Sequence, residues 1–316
     1  MSNSTSVTAE FILHCVVDVE QRTFTISLLM LIYLVTLLGN LLVILVIVLN
    51  CHLQKPMYLY ISTLAIIDLI NTNTLIPKML AVLLQSAVVP YGLCLFQMFL
   101  IYHVEVVESL LFALMALDRY VAIVYPLRYP SIVTNKTVWS SILVLNGIGA
   151  LITTPYMMFV TELRFCRTNV LPYCFCDYAT MVHTACNDDP KYLITLSSLV
   201  SVVGVCPFLL ICFSYWKIAQ AALKISSAEG KMKAFNTLLT HLIVVGVTFI
   251  PLLACYILPG LGINLSTDAY NAMVIVAIIV PPMLNPVIYS LRNKEIKNGI
   301  QRLLTQRRTS PGNDKK

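Results

Sequence analysis

The sequence predicts an all-α membrane protein, a seven-transmembrane helix bundle followed by a short amphipathic C-terminal helix. Three observations predict it. Apolar residues make up 58% of the 316 residues and charged residues only 11%, against roughly half and roughly one quarter in a soluble domain. Seven segments are long enough to cross a bilayer, which takes about 17–25 apolar residues each. The Lys and Arg residues also segregate between alternate connecting segments.

In chain order, Met1–Glu20 has polar Ser, Asn and Thr with Glu10, Asp18 and Glu20, and lacks the basic start and apolar core of a cleavable signal. The first span is therefore expected to target the chain. The apolar segments cover 24–50, 57–84, 93–125, 138–160, 192–217, 235–259 and 267–291. They divide the chain into an extracellular tail (1–23), a transmembrane domain (24–291) and a cytoplasmic amphipathic helix and tail (292–316). An odd number of crossings puts the termini on opposite sides. Of the 21 Lys and Arg, one side keeps only Arg22, Lys78, Arg164, Arg167 and Lys191, so the positive-inside rule places the C-terminus in the cytoplasm. The net charge of +6 is thus a topology signal and not a nucleic-acid footprint. Asn3-Ser4-Thr5 is a glycosylation acceptor usable on the outer side only.

Cys51, Cys206, Cys212 and Cys255 fall in or near apolar spans, where a free thiol is a small hydrophobe. Cys15, Cys94, Cys166, Cys174, Cys176 and Cys186 face outward, where an oxidising compartment favours disulfides. Spacing alone does not choose among the pairings. His183 has no partner set for a zinc site.

Ionisable groups inside hydrocarbon are costly and mark function. Asn40, Asp68, Glu108 and Asn285 lie deep in four different spans and point to one shared polar cavity. Asp68 and Glu108 have no local basic partner, so they either bind a cation such as sodium or share protons in a structural polar core. Glu105 sits about 60° around the helix from Glu108 and about 21 Å above Arg119, which makes it a pocket residue of the outer half. Arg119, beside Asp118 at the cytoplasmic end of span three, reads as a switch held in one state and released in another. Pro155, Pro207, Pro251 and Pro286 permit kinks in spans four to seven.

Gly39-Asn40, Leu64-Ala65-Ile66-Ile67-Asp68-Leu69, Asp118-Arg119-Tyr120 and Asn285-Pro286-Val287-Ile288-Tyr289 together resemble the rhodopsin-like G-protein-coupled receptors, in the right order on the right spans. Pro56-Met57-Tyr58, Met115–Ile123, Pro126-Leu127-Arg128-Tyr129, Lys233-Ala234-Phe235-Asn236-Thr237 with His241, and Pro282–Pro286 narrow the resemblance to the olfactory (odorant) receptors, over about Thr23 to Ile300. The long cysteine-rich loop resembles the fish-like (class I) branch. The resemblance implies disulfides Cys94–Cys176 and Cys166–Cys186, with Cys15 and Cys174 unassigned. It implies an inner cation site at Asp68 and Glu108. It implies activation and coupling positions at Asp118, Arg119, Tyr120, Tyr215, His241, Asn285, Pro286 and Tyr289, facing a stimulatory, olfactory-type G protein that raises cyclic AMP. Leu117, Val124 and Asn146 stand where the family usually has Tyr, Cys and Trp, which bears on the strength of coupling.

The expected ligand is a small odorant held by Tyr102, Glu105, Val106 and Ser109 of span three, with Ser198, Ser201 and Tyr256 as secondary contacts. Spans six and seven carry no Lys or Arg between Thr248 and Leu291, so an acid would lack an anchor, and Glu105 favours an amine or a hydrogen-bond donor such as a hydroxylated lipid or steroid. No cofactor is expected beyond a sodium ion acting as an allosteric modulator. The expected location is the plasma membrane of olfactory cilia, the partners a heterotrimeric G protein and membrane lipid. The alternatives are a non-olfactory rhodopsin-like receptor for a small amine, lipid or steroid and, more remotely, a transporter or channel, which would need internal repeats or polar residues running through the membrane. An intramembrane enzyme would need a nucleophile and base at one depth, and no such context surrounds Asp68 or Glu108.

Overall fold

The computed structural model describes residues 10–306 apart from 16, 18, 167, 188, 225 and 261–265. Its long helices are α1 (Val19–Leu49), α2 (Pro56–Leu83), α3 (Tyr91–Val124), α5 (Asn135–Thr161), the pair α7 (Lys191–Val200) and α8 (Cys206–Leu223), α9 (Ala228–Gly260) and α10 (Thr267–Arg292). Short helices α4 (Tyr129–Ile132) and α6 (Tyr178–Thr184) lie in the connections, and α11 (Lys294–Gln306) follows the bundle. Among the described residues, six helices are long and apolar enough to cross a membrane, and α9 contributes the shorter apolar stretch His241–Ala254 within its 33 residues.

The bundle carries its apolar residues outward as well as inward. Leu38, Leu143 and Leu151 are exposed, as lipid-facing positions are, while Asn40, Asp68, Asn71, Glu108 and Asn285 are buried between helices. Lipid gives helices no hydrophobic reason to associate, so small residues and polar contacts hold the bundle together. At Gly39 a Cβ would come within 2.8 Å of the Pro286 ring, which makes this glycine the condition for α1 to approach α10.

Two kinks are closed by side chains from neighbouring helices. Proline has no N–H to give the carbonyl four residues back. For Pro286 that carbonyl belongs to Pro282, and Asn40 Nδ2 donates to it at 3.0 Å. For Pro207 it belongs to Val203, and the Ser109 hydroxyl of α3 donates there. The backbone around Val203 widens into a π-helical turn, Ser201–Val205, that joins α7 to α8. Pro77, Pro281 and Pro282 also lie inside helices.

One end of the bundle is capped. Strands β1 (Glu10–Leu13), β2 (Val88–Pro90) and β3 (Val170–Leu171) form a sheet in the order β2-β1-β3, antiparallel on one side and parallel on the other. Phe11 and Leu13 of β1 are fully buried with Cys94, Met98, Tyr156 and Tyr178. The structure joins Cys94 to Cys176, Cys166 to Cys186, and Cys15 to Cys174, with Cα separations of 5.5, 5.9 and 4.4 Å that lie within the range a disulfide spans. The third pair gives the two unassigned cysteines each other. At the opposite end, α11 lays Ile296, Ile300 and Leu303 against the bundle, and Glu295 accepts a hydrogen bond from the Tyr58 hydroxyl of α2 at 2.9 Å.

Candidate functional site

Beneath the cap lies a cavity lined by α3 (Tyr102, Glu105, Val106, Glu108, Ser109), α2 (Asn71), the α7–α8 segment (Leu196, Leu199, Val200, Val203, Gly204), α9 (Thr248, Phe249, Leu252) and α10 (Ala277, Ile278, Pro281, Pro282). It leaves about 80 Å³ open to the centre of a water-sized sphere. A smaller chamber above it, lined by Ile101, Phe175, Cys176, Asp177 and Val274, shares Tyr102, Glu105, Leu252 and Ile278 with the main cavity. Residues 102, 105, 106 and 109 share one face of an α-helix at 100° per residue, and all four reach the same space.

The secondary contacts differ from expectation. Ser198 and Ser201 are exposed and do not line the cavity; their hydroxyls donate to the carbonyls of Ile194 and Ser197 one turn back, each at 2.8 Å. Hydroxyls in a helix readily take this local partner, and the face turned inward carries Leu196, Leu199, Val200 and Val203 instead. The side chain of Tyr256 and the acceptor Asn3 lie outside what the structure describes.

The cavity roof is a hydrogen-bonded lattice. Tyr102 donates to Asp177 Oδ1 at 2.9 Å and accepts from the backbone N–H of Tyr178 at 3.2 Å. Asp177 Oδ2 caps α6 by accepting from the N–H of Thr180 at 2.9 Å. Gln97 ties the Cys176 N–H to the Thr74 carbonyl. Tyr156 stacks on Tyr178 at 4.1 Å, and burial pushes the Tyr178 phenol up to about 12. None of Gln97, Tyr156, Asp177 and Tyr178 was singled out in the sequence, because their partners are distant in the chain.

The floor is polar and incompletely bonded. Asn285 Nδ2 donates to both oxygens of Asp68, at 3.3 and 3.1 Å. Glu108 Oε1 and Asn71 Oδ1 are buried with no hydrogen-bond partner. Asn71 lies three residues after Asp68 on α2, so helical spacing pointed to it, but an uncharged amide drew no attention. The oxygen donors here, two carboxylates and side-chain amides, suit a hard cation such as sodium; among the described residues no group of three His, Cys, Asp or Glu could hold a metal. His103 turns away from the cavity and stacks on Phe99, with its Nε2 3.3 Å from Asn146 Oδ1, so the asparagine that replaces the family's usual tryptophan finds its own partner.

At the far end of α3, Arg119 pairs with Asp118 Oδ2, its Nη2 at 2.5 Å and its Nε at 3.0 Å. Tyr129 in the following connection donates to Asp118 Oδ1 at 2.8 Å, and burial beside that carboxylate raises the Tyr129 phenol. Tyr215 of α8, His241 of α9 and Tyr289 of α10 are buried, and the Tyr215 hydroxyl, His241 Nε2 and Tyr289 hydroxyl have no partner. The His241 and Tyr289 rings lie 6.2 Å apart. Tyr120 packs edge-on against Tyr125.

A sequence profile described as "Olfactory receptor" matches residues 29–307. The chain is similar to olfactory receptor 1E2 of Gorilla gorilla gorilla, 37% identical over 97% of each chain. It is similar also to olfactory receptor 1E16 of Mus musculus, 35% identical over 97% of each, and to olfactory receptor 1M1 of Homo sapiens, 34% identical over 98% of each. A polytopic helical membrane protein with disulfide-tied loops, and not an enzyme, this chain belongs to the olfactory receptor family.

Proposed function

We propose that the chain binds a small odorant in the cavity beneath the cap and, from the Arg119 end, activates a heterotrimeric G protein of the stimulatory, olfactory type, raising cyclic AMP. The capped end faces outward and the Arg119 end the cytoplasm, in the plasma membrane of sensory cilia; the basic residues around α4, α9 and α11 support that orientation. One observation carries the reading. The helix that supplies Tyr102, Glu105, Val106, Glu108 and Ser109 to the cavity also supplies Asp118 and Arg119 to the opposite end, so one rigid element joins the two sites.

An odorant acts only through a difference in affinity between two arrangements. The groups that change partner are those without one, the Tyr215 and Tyr289 hydroxyls and His241 Nε2, around an Arg119 that pairs among the described residues with its neighbour Asp118. The Pro251 and Pro286 kinks let the ends of α9 and α10 move. Asp68 and Glu108, with Asn71 and Asn285, would hold a sodium ion that stabilises the resting arrangement by binding it preferentially.

The test is ligand-dependent nucleotide exchange by the purified receptor and G protein. Arg119→Ala is expected to abolish exchange while leaving ligand-induced thermal stabilisation intact. Full exchange in Arg119→Ala would refute the coupling site, and ligand stabilisation unchanged by both Glu105→Gln and Asn71→Leu would refute the cavity.

A further inference from the structure

Among the described residues, the two chambers are lined by carboxylates and by no Lys, Arg or His: Glu105 and Glu108 below, Glu105 and Asp177 above. Asp177 is already engaged by Tyr102 and Thr180. Neither Glu105 nor Glu108 forms an ion pair among the described residues. A group of carboxylates is not by itself a site, since buried acids also persist as hydrogen-bonded structure.

The floor supplies an independent observation. Asn71 is 2% exposed and its Oδ1 has no partner, and Glu108, 7% exposed, has an unpartnered Oε1; both line the cavity. The cavity therefore presents acceptors that lack donors. A buried polar group left unmatched bears its full desolvation cost, so the complementary ligand end is rich in donors and, beside a carboxylate, positive. A primary ammonium meets both conditions, with three N–H groups and no acceptor. Glu105 stands one turn higher on the same helix, about 4.5 Å along its axis, and offers a second carboxylate at the spacing of a short alkyl chain.

We propose that the ligand is a linear diamine. One ammonium sits at the floor between Glu108 and Asn71, the other at Glu105, and the methylene chain lies against Val106, Val203 and Phe249. This rests on the reading of the cavity as the odorant site and names the chemical class that site takes. A monoamine satisfies one station and leaves the other carboxylate unmatched; an alcohol brings one donor and no charge. The sodium ion of the resting arrangement competes with the ammonium for the floor and leaves Glu105 untouched.

The experiment measures thermal stabilisation of the full-length receptor in phosphatidylcholine nanodiscs, with putrescine, butylamine and butanol titrated in sodium and in potassium buffers. Putrescine is expected to act at concentrations at least about tenfold below butylamine, because it adds one charge-assisted contact, and butanol to act more weakly than either. Glu105→Gln should bring putrescine down to the level of butylamine, and Asn71→Leu should weaken both amines. Equal midpoints for putrescine and butylamine in the unaltered receptor, or butanol ahead of both, overturn the proposal. So does stabilisation by sodium alone that putrescine leaves unchanged. The comparison of ligands on the unaltered receptor decides the matter even where a variant fails to fold. If a neutral odorant stabilises the receptor in a manner sensitive to Asn71→Leu while both amines are silent, the diamine is wrong and the cavity stands. If an activating odorant is insensitive to both Glu105→Gln and Asn71→Leu, the cavity reading falls as well.

Discussion

The two ends of this receptor solve opposite problems with the same kinds of residue. At the capped end, tyrosines and carboxylates are bonded to one another and to backbone: Tyr102 to Asp177, Asp177 to Thr180, Tyr178 to the Tyr192 carbonyl at 3.3 Å, with three disulfides and a three-stranded sheet around them; the Tyr156 hydroxyl is an exception. At the Arg119 end, Tyr215, His241 and Tyr289 are as deeply buried, yet the two phenol hydroxyls and His241 Nε2 have no partner, and there is no disulfide there among the described residues. A satisfied buried network rigidifies, and an unsatisfied one marks a place where another arrangement offers more bonds. The difference separates a part built to hold shape from a part built to change it.

The largest expected effect strikes the closed end. Cys94→Ser frees the start of α3 from the loop that roofs the cavity, and loss of such a bridge costs about 2–5 kcal/mol. The expected result is a large drop in midpoint temperature and in surface expression; a variant as stable as the unaltered chain would show that the sheet alone holds the cap. Tyr102→Phe is expected to cost less, roughly 1–3 kcal/mol, since it removes a hydrogen bond to a carboxylate and leaves the Tyr178 N–H without its acceptor. Thermal or denaturant melting of the variant in nanodiscs checks this, and an unchanged midpoint would deny that the roof lattice stabilises anything.

The two ends also differ in how far the sequence exposed them. Long apolar runs made the spanning helices readable, because the bilayer demands them, and the face shared by Tyr102, Glu105, Val106 and Ser109 followed from helical periodicity. Residue type misled at Ser198 and Ser201, which were chosen for their hydroxyls. The inward face of that span keeps helical spacing through Leu196, Leu199, Val200, Val203 and Gly204, and the two serines stand off it, their hydroxyls bonded to carbonyls one turn back. The cap was the least legible part: β1 pairs with strands far along the chain, and Cys15 meets Cys174 across 159 residues, contacts that no local pattern encodes. The Arg119 end was readable as a set of residue types in order, but Tyr129 was not, since its bond to Asp118 depends on how the connection folds back.

The smallest expected effect on stability is the sharpest test of the comparison. Tyr289 is 2% exposed, and its hydroxyl has lost water without gaining a partner. Removing an unpartnered buried hydroxyl takes away a desolvation cost and no bond, so Tyr289→Phe should leave stability within about 1 kcal/mol of the unaltered receptor, on the favourable side if it moves. The same substitution should sharply reduce ligand-driven nucleotide exchange, because the hydroxyl's use lies in the arrangement where it finds a partner. Tyr102→Phe should show the reverse order, with the larger change in melting. Measuring midpoint temperature and exchange for both variants places each on two axes. If Tyr289→Phe destabilises as much as Tyr102→Phe, its hydroxyl is already bonded at rest and the contrast between the two ends collapses. If it melts unchanged and still signals fully, the Arg119 end switches through Tyr215 and His241 without it.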